Sequence, residues 1–311
     1  MRSVVVTGAT GLIGQALIKC LNAKNIKIYA VCRPDSLKNK ALNEYTNVDV
    51  VCCDVKSICK LDSMIHRKCD AFFHLAWLGT GNSLNRMDVK LQLENISCVV
   101  EAVNVANRMG CKVFIGAGSQ AEYGKVSGII SPDTLHKPCS GYGIAKLSSK
   151  QFTRLLCNQF GMRHVWPRIV SIYGPNDSEK TLVSTVINKL MLGESPELTK
   201  CEQIWDYLYV DDAAEALYKL ALYGKNDREY VLGSGKTKRL REFVEIIRDE
   251  IDPTLRIDFG AREYYPDQAM HLEADITTIT EDTGWKPKYE FREGIREMLK
   301  MYRGGTTVLC K

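Results

Sequence analysis

The sequence has little that would point to a membrane, a metal ion or a nucleic acid. No apolar run approaches the roughly 20 residues that a membrane-spanning helix requires. Only five histidines are present, and none stands at ligand spacing from a cysteine, so we predict no metal site. The formal net charge of +5 is spread over 311 residues without a run rich in Lys or Arg, which argues against a nucleic-acid partner.

Cysteine, in contrast, is plentiful. The chain has 12, but they are scattered, and the adjacent Cys52 and Cys53 lack the two-residue gap of a zinc or redox motif. We interpret the cysteines as small core residues. The first strand pattern begins close to Met1, which leaves no space for a cleavable signal segment. These features predict a cytoplasmic protein that does not associate with a membrane.

Three glycines follow the first apolar run. The valines at positions 4–6 predict a buried strand, and Gly8, Gly11 and Gly14 lead from it into a helical pattern. Gly8 suits a tight turn, Gly11 allows the backbone to approach phosphate oxygens, and Gly14 allows the helix to pack close to the strand. The helix start adds free N–H groups and a partial positive charge. The stretch predicts a dinucleotide pyrophosphate site, with an ordinary strand-to-helix turn as the alternative.

Strand and helix patterns alternate along the first half of the chain. This alternation predicts an α/β protein with a doubly wound parallel sheet, whose ligand lies beyond the carboxyl ends of the strands. The predicted strands cover residues 26–32, 48–53, 70–76 and 111–117, and the predicted helices cover residues 12–22, 87–109 and about 142–160.

The ends of the second and third predicted strands bear on the choice of dinucleotide. Arg33 follows the second strand, where charge and planar donors suit a 2′-phosphate, so we favour NADP(H), with NAD(H) as the alternative. A solvated arginine before a loop would look the same, and the nearby Asp35 weakens the preference. Asp54 follows the third strand, where its carboxylate is placed to bond the adenine edge.

A tyrosine and a lysine stand four residues apart in the helical pattern after a loop. Tyr142 and Lys146 therefore share one helical face. A phenol exchanges protons poorly at neutral pH, and an adjacent ammonium favours its ionised form. Ser119, at the end of the preceding strand pattern, can bond the same substrate oxygen. A lone Tyr-x-x-x-Lys is usually an exposed pair, but behind the glycine turn it predicts a catalytic group.

These motifs together resemble the extended short-chain dehydrogenase/reductase superfamily, in its NAD(P)-dependent sugar epimerase/dehydratase branch. They run in family order along nearly the whole chain. The resemblance implies a Rossmann-type sheet with a smaller α/β lobe toward the C-terminus. The matching stretches are residues 7–14, 54–55, 74–76, 119, 123–124, 142–146, 167–175, 206–212 and 284–287.

The resemblance also implies roles for individual residues. Tyr142 would be the acid/base, Lys146 would hold the nicotinamide ribose and lower the tyrosine's pKa, and Ser119 would polarise the reacting hydroxyl or carbonyl. Tyr142 and Lys146 thus count among the cofactor contacts. The other expected cofactor contacts are Gly8, Thr10, Gly11, Leu12, Ile13, Gly14, Arg33, Asp54, Val55, Leu75, Ala76, Pro167, Ile169 and Val170.

The family organisation further implies two domains and a dimer. Residues 1–170 would form the NAD(P)-binding domain, with residues 205–232 returning to it through a strand and a helix. Residues 171–204 and 233–311 would form the substrate-binding lobe. A homodimer would form through a four-helix contact of residues 87–109 and 140–160, although packing on the sheet explains their apolar positions equally well.

The reaction type narrows by elimination within the family. The 4,6-dehydratases carry Thr-Asp-Glu where this chain has Ser119, Gln120 and Ala121, so the acid and base for water elimination are missing. Between His164 and His271 there is no histidine to serve a 3,5-epimerase. A 4-ketoreductase and an NAD-dependent 4-epimerase remain. Because all three catalytic groups are present, a nucleotide sensor without catalysis is disfavoured.

The C-terminal third favours the reductase. It is similar to the CDP-abequose synthase group of nucleotide-sugar 4-ketoreductases in residues 201–204, 259–261 and 284–287. The substrate would then be a 4-keto sugar, free or nucleotide-linked. We expect Trp77, Gln120 and Ala121 to lie near it.

Two positions depart from the family pattern for binding a diphosphate. Trp205 and Tyr265 stand where family members usually have arginines, and an aromatic ring cannot replace the charged, bidentate grip of a guanidinium. Arg262 or Lys200 would compensate from a shifted position. Otherwise the substrate is a ketone without a diphosphate, and the two aromatic rings form its wall.

Overall fold

The computed structural model describes residues 1–80, 83–126, 128–265 and 268–303. Its strands are β1 (Ser3–Thr7), β2 (Lys27–Cys32), β3 (Val48–Cys52), β4 (Ala71–His74), β5 (Val113–Gly116), β6 (Gly118–Ser119), β7 (Ile129–Ile130), β8 (Arg163–Ile169), β9 (Ser171–Tyr173), β10 (Glu197–Leu198), β11 (Ile204–Tyr209), β12 (Glu229–Leu232), β13 (Thr237–Arg239), β14 (Asp258–Phe259) and β15 (Glu273–Ala274).

The helices follow the same alternation. None of those in the described ranges combines the length and the apolar character needed to cross a bilayer. They are α1 (Leu12–Asn22), α2 (Leu61–Ile65), α3 (Val89–Arg108), α4 (Gly141–Gln159), α5 (Leu182–Met191), α6 (Val210–Tyr223), α7 (Leu240–Ile251), α8 (Thr277–Thr283) and α9 (Phe291–Arg303), with 3₁₀ helices at Leu37–Glu44, Val55–Lys60, Ser83–Arg86 and Gln120–Glu122.

One parallel sheet forms the centre of the molecule. Its strand order is β12-β8-β5-β4-β1-β2-β3, and β6 pairs with β8 as well. All these pairings are parallel. The order reverses between β1 and β4, which opens a crevice at the carboxyl ends of these two strands. The predicted doubly wound sheet is confirmed.

Alternating side chains explain why the sheet is covered on both faces. Val4 and Val6 of β1 join one apolar cluster together with α1 and α6, whereas Val5 joins a second cluster together with α3. Phe72 and Phe73 of β4 divide in the same way. A strand buried on both faces reads as a continuous apolar run, which is how β1 appears in the sequence.

The second half of the chain adds three small sheets. β11 pairs with β9 and β13, β10 pairs with β14, and β7 pairs with β15. Of the segment expected to return to the first domain, α6 packs against α1 and β12 joins the main sheet, whereas β11 lies in a separate small sheet. The division into two domains stays a prediction, and residues 304–311 lie outside the described ranges.

The cysteines differ in their environments. Within the described ranges Cys20 is half-buried, and Cys52, Cys59 and Cys139 are exposed. The interpretation of the cysteines as core residues is therefore wrong for these three, because Cys52 ends β3, Cys59 lies in a surface 3₁₀ helix and Cys139 lies in a loop. The buried members are Cys32, Cys53, Cys69, Cys98, Cys111, Cys157 and Cys201.

Candidate active site

The glycine turn lies where the sheet order reverses. Gly8 has a φ of +69°, and a Cβ on it would lie 2.8 Å from the backbone nitrogen of Ala76. A Cβ on Gly14 would lie 2.2 Å from the carbonyl oxygen of Gly8. The Gly11 N–H donates to that same oxygen at 3.0 Å. Side chains at positions 8 and 14 would therefore collide with backbone, which accounts for both glycines.

Helix α1 begins directly behind this turn. Gly11 is its N-cap in an extended conformation, no side chain caps the helix, and the first turn contains no acidic residue. The carbonyl of Thr10 accepts a hydrogen bond from the Gln15 amide at 2.8 Å, which ties the turn to the helix that contains Leu12 and Ile13. An uncapped helix start of this kind suits an anionic pyrophosphate. The residues present thus fit the predicted dinucleotide.

Two further predicted contacts lie at neighbouring strand ends. Cys32 and Cys52 are register partners in β2 and β3, so Arg33 and the segment at 54–55 emerge at the same edge of the sheet. Arg33 is exposed, whereas Asp54 and Val55 are half-buried. The Asp54 carboxylate accepts a hydrogen bond from the N–H of Lys56 at 2.9 Å and caps a 3₁₀ helix. Both residues thus follow neighbouring strands at one edge of the sheet, and their contacts with adenosine stay predictions.

The end of β4 adjoins the glycine turn. The N–H of Leu75 donates to the carbonyl of Thr7 at 3.3 Å, and the N–H of Ala76 donates to the Thr7 hydroxyl at the same distance. That hydroxyl also lies 3.0 Å from Nδ1 of the buried His74. Leu75 and Ala76 are thereby held against Gly8, as a dinucleotide contact at this strand end requires.

The three predicted catalytic side chains come together beyond β5 and β6. Ser119 ends β6, and Tyr142 lies in the first turn of α4, whose N-terminus the Ser140 hydroxyl caps by accepting from Gly143 N–H at 3.1 Å. The Lys146 ammonium donates to the carbonyl of Ala117 at 2.7 Å, and its Nζ lies 5.7 Å from the Tyr142 ring centroid.

The environment shifts both titratable groups of this trio. Burial raises the pKa of Tyr142, while a hydrogen bond from Ser119 and the nearby charge of Arg86 act in the lowering direction. Burial lowers the pKa of Lys146 to about 7, against the opposing effect of the Glu122 charge. Burial thus favours the neutral form of both side chains, the protonated phenol and the uncharged amine.

The predicted substrate residues around the trio are only partly exposed. The indole of Trp77 packs edge-on against Tyr142, with ring centroids 5.7 Å apart. Gln120 and Ala121 are half-buried in the 3₁₀ turn that follows Ser119. The Ala121 N–H donates to the Ser119 hydroxyl at 3.2 Å, which orients that hydroxyl.

A buried ion pair beneath the site was not predicted from the sequence. The Glu122 carboxylate accepts from the Ser119 N–H at 2.9 Å and from Arg168 Nε at 2.8 Å. Glu122 and Arg168 are both 0% exposed. The Ser-x-x-Glu spacing of a capping box was a signal for Glu122. Arg86, whose guanidinium lies 5.0 Å from the Tyr142 ring centroid, belongs to no motif and was also missed.

The expected nicotinamide border runs along β8. Ile169 is the register partner of Ser119, and Pro167 lies two residues earlier in the same strand. The N–H of Val170 donates to the carbonyl of Leu232 at 3.0 Å. This stretch therefore lies beside Ser119, and its contact with a nicotinamide stays a prediction.

The residues predicted near a diphosphate do not all come together. The indole N–H of Trp205 donates to the Ser171 hydroxyl at 3.0 Å, and Trp205 packs against the same apolar cluster as Val170. Arg262 pairs with Glu197 at 3.5 Å on the surface, and Tyr265 is 80% exposed. The structure thus brings Trp205 toward the nicotinamide border but leaves Arg262 and Tyr265 at the surface.

Lys200 occupies a different environment. It lines a cavity of about 220 Å³ together with Arg239, Arg241 and Phe259. The Arg241 guanidinium covers the Phe259 ring, 4.2 Å from its centroid.

Residues 4–233 match the NAD dependent epimerase/dehydratase family. The chain belongs to this family. CDP-abequose synthase of Salmonella muenchen is 26% identical over 96% of this chain and 98% of that protein. The dTDP-4-dehydro-6-deoxyglucose reductase of Escherichia coli is 25% identical over 96% and 97%. The family resemblance is confirmed, and this membership supports a nicotinamide dinucleotide as cofactor.

Two further comparisons bear on the reaction and the fold. The dTDP-glucose 4,6-dehydratase of Shigella flexneri is 30% identical, but over only 57% of this chain and 51% of that protein. Among solved structures, the UDP-N-acetylglucosamine 4-epimerase of Methanobrevibacter ruminantium M1 has a TM-score of 0.87 at 24% identity, covering 97% of this chain and 98% of that one. This likeness confirms the fold.

Proposed function

We propose that this protein is an NAD(P)-dependent oxidoreductase that reduces the 4-keto group of a deoxysugar. The observation that carries the proposal is the meeting of Ser119, Tyr142 and Lys146 beyond the carboxyl ends of the sheet. A glycine turn and an uncapped helix start, both suited to a dinucleotide, lie at the same edge. A redox cofactor and a proton-donating phenol are the two components that carbonyl reduction needs.

The side chains divide the proton chemistry among them. The chemistry that a reduced nicotinamide would supply when bound is a hydride for the carbonyl carbon. Tyr142, whose pKa burial raises, donates its proton to the carbonyl oxygen as negative charge develops there. Ser119 donates a hydrogen bond to the same oxygen, and its own hydroxyl is oriented by the Ala121 N–H. Lys146 holds a ribose hydroxyl and stabilises the phenolate left after proton transfer.

Cofactor and substrate preferences rest on fewer residues. We favour NADP(H) because Arg33 stands exposed at the end of β2, with nothing acidic in the first turn of α1 to repel phosphate. A nucleotide-linked sugar is supported by the family and by the names of the full-length relatives. A substrate without a diphosphate is the competing proposal, because Trp205 and the exposed Tyr265 stand where arginines are usual.

The first experiment separates the reductase from an NAD-dependent 4-epimerase, which would use the same three side chains. Purified protein is denatured and any released nucleotide is identified, and then NADPH and NADH are titrated into emptied protein. The proposal expects an empty site that prefers NADPH and turnover of a 4-keto sugar. Release of one NAD⁺ per protein chain, together with interconversion of 4-epimers, would contradict the reductase and support the 4-epimerase. Matched free and nucleotide-linked 4-keto sugars then decide whether the diphosphate is recognised.

We also propose a homodimer through α3 and α4. These helices pack against each other, and large apolar side chains remain exposed on both. Val89 and Leu93 lie on α3, and Phe152 and Leu155 lie on α4, each more than half exposed. A Leu155→Glu variant should sediment as a monomer if these helices form the interface. Unchanged sedimentation as a dimer would place the interface elsewhere.

A further inference from the structure

Trp77 lies beside Tyr142 and Lys146 and is held by several contacts of its own. It follows β4 by three residues, and helix α3 holds it from two directions. Its indole N–H donates to the side-chain oxygen of Gln92 at 3.1 Å, and Gln92 is only 4% exposed. The next residue, Leu78, exchanges hydrogen bonds with the buried Asn95 side chain at 2.7 and 3.2 Å. The ring is therefore fixed in place.

The fixed indole covers the catalytic lysine. Nζ of Lys146 lies 3.7 Å from the Trp77 ring centroid, and the residue is 4% exposed. A buried ammonium needs compensation for the water it has lost. The carbonyl of Ala117 supplies one hydrogen bond at 2.7 Å. The electron-rich face of the indole supplies a second favourable contact, of the kind that gains strength when water is excluded.

We propose that Trp77 is a positioning residue for the catalytic lysine, and that its indole face keeps the buried ammonium of Lys146 charged and in place. This goes beyond a contact between Trp77 and substrate, because the indole acts through the lysine. Its importance for turnover rests on the proposed function, since only there does Lys146 serve the cofactor and Tyr142. The effect of the indole on the charge of Lys146 does not depend on the proposed function.

The charge states of the groups around Lys146 determine how its own titration is interpreted. Burial lowers the pKa of His74 to about 3, so His74 stays neutral above pH 5. Burial raises the pKa of Tyr142 above the ordinary value of a phenol, so Tyr142 stays neutral while Lys146 titrates. Glu122 contributes a charge that favours the ammonium. Lys150, one turn further along α4 and paired with Glu229, has its own pKa lowered to about 8 and must be followed separately.

Removing the indole face takes away an interaction that only the charged lysine makes. The pKa of Lys146 should therefore fall below its value of about 7. In a variant without the indole, Lys146 should still be charged at low pH. As the pH rises, it should lose its proton at a lower pH than in the parent protein. At pH 5 both proteins should carry nearly the full charge at Lys146, whereas at pH 7.5 the variant should carry far less charge there than the parent protein.

The test follows the lysine directly. Cofactor-free protein carrying ¹³C at lysine Cε is titrated by NMR from pH 5.5 to 9.5, with the signals assigned through Lys146→Arg and Lys150→Arg. In Trp77→Leu we expect the Lys146 midpoint to fall by about one pH unit, a tenfold loss of proton affinity. Trp77→Phe keeps a smaller π face, and its midpoint should lie between the two.

Matched controls keep the result interpretable. Trp205→Leu removes an indole that bonds to Ser171 instead, and it should leave the Lys146 midpoint unchanged. Lys150 should titrate alike in all variants. If Trp77→Leu does not fold, Trp77→Phe alone decides, with an expected loss of two- to threefold in proton affinity. A Lys146 midpoint in the folded variants equal to that of the parent protein would overturn the proposal.

A second readout connects the lysine with the cofactor. In Trp77→Leu the dissociation constant of NADPH should rise about tenfold at pH 8 and change less than twofold at pH 6. An equal rise at both values would mean that the indole contacts the cofactor without acting through the lysine. Because the NMR titration uses neither cofactor nor substrate, its outcome stands even if the protein proves not to be a reductase.

Discussion

The two ends of the candidate site are built from different materials. At the predicted cofactor end, the backbone determines the geometry. Gly8 and Gly14 have no space for a Cβ, and the Thr7 backbone and hydroxyl hold the end of β4. At the far end of the predicted substrate region, individual side chains determine the geometry. Arg262 forms an ion pair with Glu197, and Tyr265 is exposed to solvent.

This difference has a physical origin. A glycine turn between a strand and a helix has few conformations, so its spacing nearly determines its geometry. A surface arginine on a loop has many rotamers and pairs with whichever carboxylate is nearby. The backbone-built end therefore tolerates little change, whereas the side-chain-built end is free to vary with the substrate.

Tyr142→Phe should produce the largest effect. Removing the phenolic proton donor should lower kcat by about 10²- to 10⁴-fold, while the ring still packs against Trp77. Steady-state kinetics with a 4-keto sugar that the parent protein reduces measure the change in kcat. As a control, a cofactor titration checks that the variant still binds the dinucleotide. Turnover equal to that of the parent protein would mean that another group donates the proton.

Gly14→Ala should come next. The new Cβ would lie 2.2 Å from the Gly8 carbonyl oxygen, so the turn must shift, at a cost of about 1–3 kcal/mol in unfolding free energy and at least tenfold in cofactor affinity. Gly161→Ala is the matched control, because φ is +65° there but no atom lies within 4 Å. The control should lose stability only. Unchanged cofactor affinity in Gly14→Ala would contradict a backbone-built site.

Arg33→Ala tests one side chain at the cofactor end. It should weaken NADPH binding about tenfold or more, because a charge-assisted contact to phosphate is lost, and it should change NADH binding less than threefold. Paired fluorescence titrations measure both constants. Equal losses for the two cofactors would remove Arg33 from the 2′-phosphate.

Arg262→Ala should produce the smallest effect. The side chain is exposed and its ion pair with Glu197 spans 3.5 Å, so stability should change by less than about 1 kcal/mol and KM by less than threefold. Urea unfolding and steady-state kinetics check the two numbers. A tenfold rise in KM for a nucleotide-linked substrate alone would show that Arg262 reaches the diphosphate, and the comparison between the two ends would fail.

The fold of the first half could be predicted closely, because its signals are local. The strand expected at 70–76 is Ala71–His74, and the helix expected at 87–109 is Val89–Arg108. β11 shows the limit. Its pattern reveals a strand but carries no information about its pairing, and its partners are β9 and β13 instead of a strand of the main sheet.

The grouping of Ser119, Tyr142 and Lys146 could be predicted from the sequence, because a strand end and a helical spacing define their positions. Its surroundings could not. Arg168 lies within an apolar strand, and its partner Glu122 is 46 residues away, so no local pattern joins them. Trp77 and Lys146 meet because α3 and α4 pack together with the end of β4, which only the assembled fold decides.

The place of β12 in the sheet has a consequence for how the chain is made. Glu229, its first residue, pairs with Arg168 of β8 across 61 residues of sequence and with Lys150 across 79. During synthesis β8 emerges long before this partner, and until β12 arrives one edge of β8 is unpaired and Lys150 and Arg168 lack the Glu229 carboxylate. The main sheet is therefore completed only by a strand from the second half of the chain.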